Sequence, residues 1–328
     1  MPGRRILITG VGSYIGSALA RRLESDPGVE YVVGLDMRSP AATLERTSFI
    51  EADLRDPVTA TLIPQESVDT VVHNQIVRRP GPGMSTRTMH DINVIGTLQL
   101  LAACERAPTI STIVIRGSAG IYGSEPQAPQ FFREELARLY PLRTRFQRDV
   151  GEIENLFETY ARRHPDVTCT MLRYQPAIGP VLDTQVTRYL APPLAPTYLG
   201  FDPRLQVVHE EDGLGALLAA VRNPVRGAVN VASPGTIGLT RMIRLAGRVP
   251  LPLAGPLFGR ATSALTRVGM PDLSADFMRL LRYGRAVDTT RLTNEVGFTP
   301  QYTTSTAVEE FARRGAPSAS SISAKARS

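Results

Sequence analysis

The stretch Arg4–Gly16, RRILITGVGSYIG, constrains the fold more than any other part of the chain. Its pattern predicts a short buried strand over 4–9, a tight glycine-rich turn, and a helix over 14–24 with Ala18, Leu19 and Leu23 on its apolar side. A strand that enters a helix through small residues brings unpaired backbone N–H groups and the positive end of the helix dipole to one point. A dinucleotide pyrophosphate needs that arrangement. Gly10, Gly12, Ser13, Tyr14, Ile15 and Gly16 are the candidate contacts. Asp36 ends the next apolar run, YVVGLD, twenty residues after Gly16. A carboxylate there accepts hydrogen bonds from the adenosine ribose hydroxyls, which favours NAD over NADP.

Apolar β-branched runs then alternate with helical patterns. Strands are predicted over 4–9, 31–36, 47–50, 69–73, 110–116 and 167–173, and helices over 14–24, 57–62, 89–106 and 145–163. Such alternation builds an α/β fold, a Rossmann-type doubly wound parallel sheet with helices on both faces. Its ligand sits at the carboxyl ends of the strands, near the switch point. Residues 1–180 are expected to form the NAD-binding domain. Residues 181–313 are expected to form mainly a small C-terminal substrate lobe with segments returning to the sheet, through helices over 209–222 and 238–247 and a strand over 228–232. The proline clusters APPLAP (191–196) and PLPLAGP (250–256) read as irregular connections. Pro80–Gly83 reads as a mobile loop over the cofactor, and Pro126–Arg143 as a second long connection. The small, polar end of the chain, 314–328, reads as a disordered tail.

Motifs along residues 4 to 312 resemble the extended short-chain dehydrogenase/reductase family, also called the NAD-dependent epimerase/dehydratases. Thr9, Gly10 and Gly16 match its TGxxGxxG pattern, with Ser13 at the middle glycine and Gly12 beside it. Asp53-Leu54 stands where the family contacts adenine. Val71-Val72-His73, Asn93-Val94, Gly96-Thr97, Ser118, Ile121-Tyr122-Gly123, Leu172-Arg173, Gly179-Pro180, and Val208-His209 with Asp212 follow in order. The resemblance implies a cofactor site that also includes Asp53, Leu54, Asn74 and Asn93, and a serine, Ser118, that hydrogen-bonds the reacting oxygen.

One part of the pattern breaks. The family's catalytic tyrosine and lysine lie four residues apart at the start of a helix, here Arg145–Arg163. Aligning Glu154 with the family's glutamate puts Phe146 at the tyrosine and Val150 at the lysine. Phenylalanine has no proton to exchange, and valine cannot depress a phenol pKa by its charge. The only lysine in the chain is Lys325, and arginine, always charged, is no simple substitute. Tyr140 and Tyr122 are the candidate replacement phenols, although Pro141 disfavours helical geometry at Tyr140. Arg148 and Asp149 beside the vacated positions read as an exposed helix face or a polar pocket floor. Asn74 and Gln75 replace the small residues of the family's HLAA, and Pro176 and Ile178 replace the asparagine and tyrosine of many nucleotide-sugar members. The reading is an NAD-binding epimerase/dehydratase-like protein with a degenerate catalytic pair. It would be a cofactor- or metabolite-binding protein, or an enzyme of altered chemistry. The alternative is an active oxidoreductase or epimerase that uses Ser118 with Tyr140, Tyr122 or the substrate itself for proton transfer. A third reading is a structural partner whose cofactor site is a relic.

Composition narrows the classes. With 42% apolar residues and no apolar run of membrane-spanning length, no transmembrane helix is expected. The N-terminus enters a strand too soon for a signal peptide, and Cys104 and Cys169 lack CxxC or metal spacing. A cytoplasmic location follows. The net charge of +6 comes from scattered arginines with only 6% aromatics, which argues against a specific nucleic-acid surface. His73, His90, His164 and His209 show no ligand spacing, so no metal is expected. The ligand is an unknown small molecule, and a homodimer is compatible with the reading.

Overall fold

Seven parallel strands form the central sheet of the computed structural model, which describes residues 3–40, 42–78, 84–255, 258 and 273–314. The first half alternates β1 (Arg4–Thr9), α1 (Tyr14–Glu24), β2 (Val29–Asp36), β3 (Thr47–Glu51), α2 (Val58–Gln65), β4 (Thr70–His73), α3 (Thr86–His90), α4 (Gly96–Glu105), β5 (Thr112–Ser118), α5 (Arg145–Arg163) and β6 (Thr168–Tyr174). In space the order is Gly227–Val231, β6, β5, β4, β1, β2, β3. The direction of winding reverses between β1 and β4, which opens a crevice at their carboxyl ends.

Burial on both faces explains why these strands read as continuous apolar runs. Ile6, Ile8, Val114 and Leu172 point to one layer, with Leu19 and Leu23 of α1 and Leu214 and Leu217 of the Glu210–Arg222 helix. Leu7, Val71, Ile113 and Ile115 point to the other, with Leu100 of α4 and Ile153 and Phe157 of α5. A third cluster, including Tyr189, Leu205, Met242, Leu280 and Phe311, forms the core of the C-terminal part.

Caps fix the helices that border the crevice. Ser13 caps α1 by accepting from the Gly16 N–H. Thr144 and Gln147 form a reciprocal capping box at the start of α5. His209 caps the Glu210–Arg222 helix. Glu210 accepts from the amides of Val181 and Leu182, and Asp212 from those of Gln301 and Tyr302. These carboxylates are spent holding chain segments against one helix N-terminus.

Three expectations need correction. The helix predicted over 89–106 is α3 and α4 joined by a π-helical turn, Asp91–Ile95. The proline clusters are not simply irregular: Leu194–Tyr198 and Val249–Leu253 pair as a parallel two-stranded ladder. Pro250 and Pro252 alternate with Val249, Leu251 and Leu253, so the residues that lack N–H groups fall on alternate positions, which a two-stranded edge tolerates. Of the two polar residues between Phe146 and Val150 on α5, Arg148 is exposed, but Asp149 is buried and bonds His90 Nδ1 at 2.8 Å. The Pro126–Arg143 connection is anchored by the fully buried Phe132, which bridges to Val287. Pro80–Gly83 and residues 315–328 lie outside the described residues. No helix among the described residues is long and apolar enough to cross a membrane.

A buried chain of hydrogen bonds stitches the switch point. His73 Nδ1 lies 2.7 Å from Thr9 Oγ1, and its Nε2 lies 2.9 Å from Thr97 Oγ1. The Thr97 hydroxyl donates to the Asn93 carbonyl, so it accepts from His73 Nε2–H, and His73 Nδ1 accepts from Thr9. Burial pushes this imidazole down to about 4. The folded state therefore binds the proton less readily than the unfolded state. Its contribution is complete above the ordinary histidine pKa and is lost as pH falls from about 6.5 to about 4. We expect a loss of about 3 kcal/mol across that window, read from urea midpoints. A His73→Gln chain should lack that part of the pH slope; an unchanged slope would contradict the assignment.

Candidate functional site

The crevice begins at the β1–α1 turn. Gly10 has φ of 73°, and a Cβ there would sit 3.0 Å from the Gln75 backbone. A Cβ on Gly16 would lie 2.2 Å from the Gly10 carbonyl oxygen, so only glycine lets α1 start this close to the turn. Ser13, at the position of the missing glycine, has a role of its own. Its hydroxyl donates to the Gly10 carbonyl at 2.8 Å and accepts from Gly16 N–H at 3.1 Å and Asn74 Nδ2 at 3.0 Å. Tyr14 and Ile15 begin α1, where backbone amides lack an acceptor four residues back.

Asp36 closes β2 beside this turn. Its carboxylate is buried and accepts from Gly12 N–H at 3.0 Å and Arg38 N–H at 3.1 Å. The Arg38 residue itself is exposed. Asp53 is gripped by Arg55 through two Nε contacts of 2.9 and 3.1 Å, and that hydrogen bonding holds its carboxyl below the usual range. Leu54 is fully buried against Gly96. Asn74 reaches back to Gly10 and Ser13 through Nδ2. Asn93, in the π turn, commits both ends of its amide to the backbone of Val77, at 2.8 Å each. It thereby fixes the loop that follows β4.

The other end of the crevice lies at the ends of β5 and β6. Ser118 Oγ accepts from Gly120 N–H at 3.1 Å. A Cβ on Gly120 would lie 3.2 Å from that oxygen and 3.4 Å from the Phe146 ring, so the serine and the phenylalanine flank the same glycine. Val150, one turn on, is buried in an apolar cluster with Ala119, Ile121, Tyr122, Phe132 and Val287. The two phenols are engaged elsewhere. Tyr122 donates to Asn230 Oδ1 at 2.7 Å and accepts from Arg173 at 2.9 Å, and burial pushes it up to about 12. Tyr140 donates to the Gln127 carbonyl at 2.7 Å. Neither hydroxyl is hydrogen-bonded to Ser118.

Several polar pairings here were not foreseen from the sequence. Arg173 on β6 meets Glu154 on α5 in a buried bidentate pair, at 2.9 and 2.8 Å, and also donates to the Glu134 carbonyl. Gln147 Nε2 donates to Asp276 at 2.9 Å, which ties α5 to the Ala275–Tyr283 helix. Arg116, Arg78 and Arg285 approach the same end of the crevice. The signal for Arg116 and Arg173 was present: each interrupts an apolar strand, TIVIRGS and TCTMLRY.

Comparison with known proteins places these features in context. An uncharacterized protein of Mycobacterium tuberculosis is 36% identical over 314 residues, covering 94% of this chain and 83% of the relative. A dTDP-glucose 4,6-dehydratase from Bacillus anthracis, solved in complex with NAD, superposes with a TM-score of 0.70 at 17% identity, covering 95% of this chain and 96% of the other. A tyrosine-to-phenylalanine variant of a UDP-glucuronic acid 4-epimerase from Bacillus cereus was solved with UDP-4-deoxy-4-fluoro-glucuronic acid and NAD. It superposes with a TM-score of 0.71 at 18% identity, covering 94% of this chain and 98% of the other. The family model described as "NAD dependent epimerase/dehydratase family" matches residues 6–232. With the glycine turn, Asp36 and the strand order around them, that match over most of the chain establishes that this protein belongs to the NAD-dependent epimerase/dehydratase family.

Proposed function

We propose that this chain binds NAD in the crevice without the tyrosine–lysine pair that drives proton transfer in the family, and that it works as a cofactor- and metabolite-binding protein. The observation that carries this reading is the pairing of Ser118 with Phe146 across Gly120. The side chain that shares this glycine with the serine has no proton to exchange, and the two candidate phenols are bound elsewhere. When bound, NAD supplies a hydride acceptor. The Gly10–Gly16 turn would hold its pyrophosphate, Asp36 its adenosine ribose, and Asp53-Leu54 the adenine edge. The residues present fit such a ligand. Asn74 Oδ1 and Gln75 Oε1, both shielded beside the turn, have no hydrogen-bond partner. Shielded acceptors call for donors, and ribose hydroxyls and a carboxamide carry them. The Bacillus cereus variant adds a parallel, since it holds NAD with a tyrosine changed to phenylalanine. Cys104 and Cys169 are buried and unpaired, in keeping with a reducing, cytoplasmic setting.

Calorimetric titration with NAD and with NADP at one salt concentration tests the cofactor. NAD should bind more tightly, because the Asp36 charge opposes a 2′-phosphate. Asp36→Ala should weaken NAD by about 1.5–3 kcal/mol, the worth of hydrogen bonds to a charged group. NADP binding as tight as NAD would reject the preference. Turnover at ordinary enzyme rates on the same preparation would reject the binding-protein reading. It would instead favour the alternative, an active oxidoreductase or epimerase, for which the retained Ser118 is the supporting residue.

A further inference from the structure

Three arginines meet at the end of the crevice away from the glycine turn, beside the carboxyl ends of β5 and β6. Arg78 follows β4, Arg116 stands two residues before the end of β5, and Arg285 reaches the residue after β6. These strands are neighbours, paired in the registers His73↔Ile115 and Ser118↔Tyr174. The Arg285 backbone is pinned by Gln175 Nε2, and its guanidinium donates to Gln175 Oε1 and the Gly123 carbonyl, all at 3.3 Å. The Arg116 guanidinium lies 5.0 Å over the Tyr174 ring, and its shielded Nε has no hydrogen-bond partner. Among the described residues, neither the Arg78 nor the Arg116 guanidinium makes a hydrogen bond or ion pair. The carboxylate that faces the group is Asp276, which already accepts from Gln147. Arg279, nearby on the same helix, is paired with Glu125 at 2.6 Å.

One carboxylate against three cations leaves positive charge unbalanced in a recessed place. Burial, and then repulsion from Arg116 and Arg285, push Arg78 down to about 9. Proteins rarely enclose a guanidinium without an anion or a full set of acceptors. Forked donors brought together from three separate chain segments match a planar or tetrahedral oxyanion.

We propose that Arg78, Arg116 and Arg285 form a receptor for a compact oxyanion, a carboxylate or a phosphate monoester, carried by the small-molecule ligand of this crevice. The proposal rests on the reading that the crevice binds a small molecule beside NAD. It narrows that ligand to one with an anionic group at this end. Asp276, held by Gln147, keeps the arginines from collapsing onto a protein carboxylate of their own and leaves room for an exchangeable one.

The test uses the full chain, with inorganic phosphate and malonate as separate probes, at ionic strength matched with potassium chloride. Each is titrated by calorimetry with and without saturating NAD, and thermal midpoints are recorded. At least one probe should bind saturably. Arg116→Met and Arg78→Met should each weaken it about 10- to 100-fold, as expected for a lost charge-assisted contact, while shifting the NAD dissociation constant less than about threefold. Binding by phosphate alone identifies a phosphate ligand, and binding by malonate alone a carboxylate ligand. Without any anion, Arg116→Met should raise the thermal midpoint, because a half-buried charge without an ion-pair partner has been removed; a purely structural arginine would give a lower one. Absence of saturable binding by either probe, or binding unchanged in both variants, overturns the proposal. Loss of NAD binding with anion binding intact would instead overturn the cofactor reading and leave the receptor standing.

Discussion

Protein loaded with NAD is expected to transfer hydride about 10²–10⁴-fold more slowly than a family enzyme with its acid–base pair intact, the usual worth of a positioned general acid or base. Two side chains set the deficit. Phe146 flanks Gly120 opposite Ser118 Oγ and offers only ring carbons. Val150 is packed among Ala119, Ile121, Tyr122 and Phe132 and carries no charge with which to steady a phenolate or a nicotinamide ribose. Reduction of bound NAD, followed by nicotinamide absorbance across a panel of nucleotide sugars and secondary alcohols, measures the rate. Turnover of about 1–10³ per second would defeat the expectation. Tyr140→Phe and Tyr122→Phe would then locate the donor. Phe146→Tyr is the informative gain-of-function change, since Phe146 is half-buried and flanks the same glycine as Ser118. Adding Val150→Lys places an ammonium in an apolar cluster and should lower stability, so rescue by the double variant has to be read beside its thermal midpoint.

The second large effect concerns stability. Glu154→Ala should cost about 3–5 kcal/mol, the range for removing one partner of a buried ion pair. Glu154 and Arg173 are both nearly inaccessible, with side-chain exposures of 2% and 4%, so solvent does not screen the loss. Burial raises the Glu154 carboxyl, and the Arg173 guanidinium pulls it back down. Without the glutamate, Arg173 keeps only the neutral acceptors Tyr122 Oη and the Glu134 carbonyl. The paired change Glu154→Leu with Arg173→Met should be much milder, because it leaves no orphaned charge. Urea unfolding of the three chains reads the difference. A single-variant loss below about 1 kcal/mol would mean that the pair does not hold α5 to β6.

What the sequence made legible was local. The β1 turn, Asp36 and α5 each announce themselves within a window of one element, because apolar period, caps and glycine spacing are local signals. The parallel, doubly wound character of the sheet followed from the alternation of strands and helices, whereas the spatial order of the strands did not. Three kinds of feature stayed hidden. The π turn at Asp91–Ile95 inserts one residue into an otherwise regular helical pattern, and the period of that pattern does not record it. The ladder through Pro196, Pro250 and Pro252 depends on which side of each strand faces open space, a tertiary fact. Asp149 looks like a surface residue until His90, distant in sequence, is brought against it. The arginines at 78, 116 and 285 belong to the same class, since three segments distant in sequence must be assembled before they become one cluster.

The serine at the turn carries a thermodynamic consequence. Ser13 ties the Gly10 carbonyl, the Gly16 amide and Asn74 together with no ligand needed. The glycine this residue replaces would leave the loop free to choose among conformations until a pyrophosphate arrived. Here the loop is ordered when the chain folds, so association meets a rigid template and carries a smaller entropic penalty. Cofactor arrival should then look like docking rather than remodelling, with amide exchange across the turn already slow in the free protein.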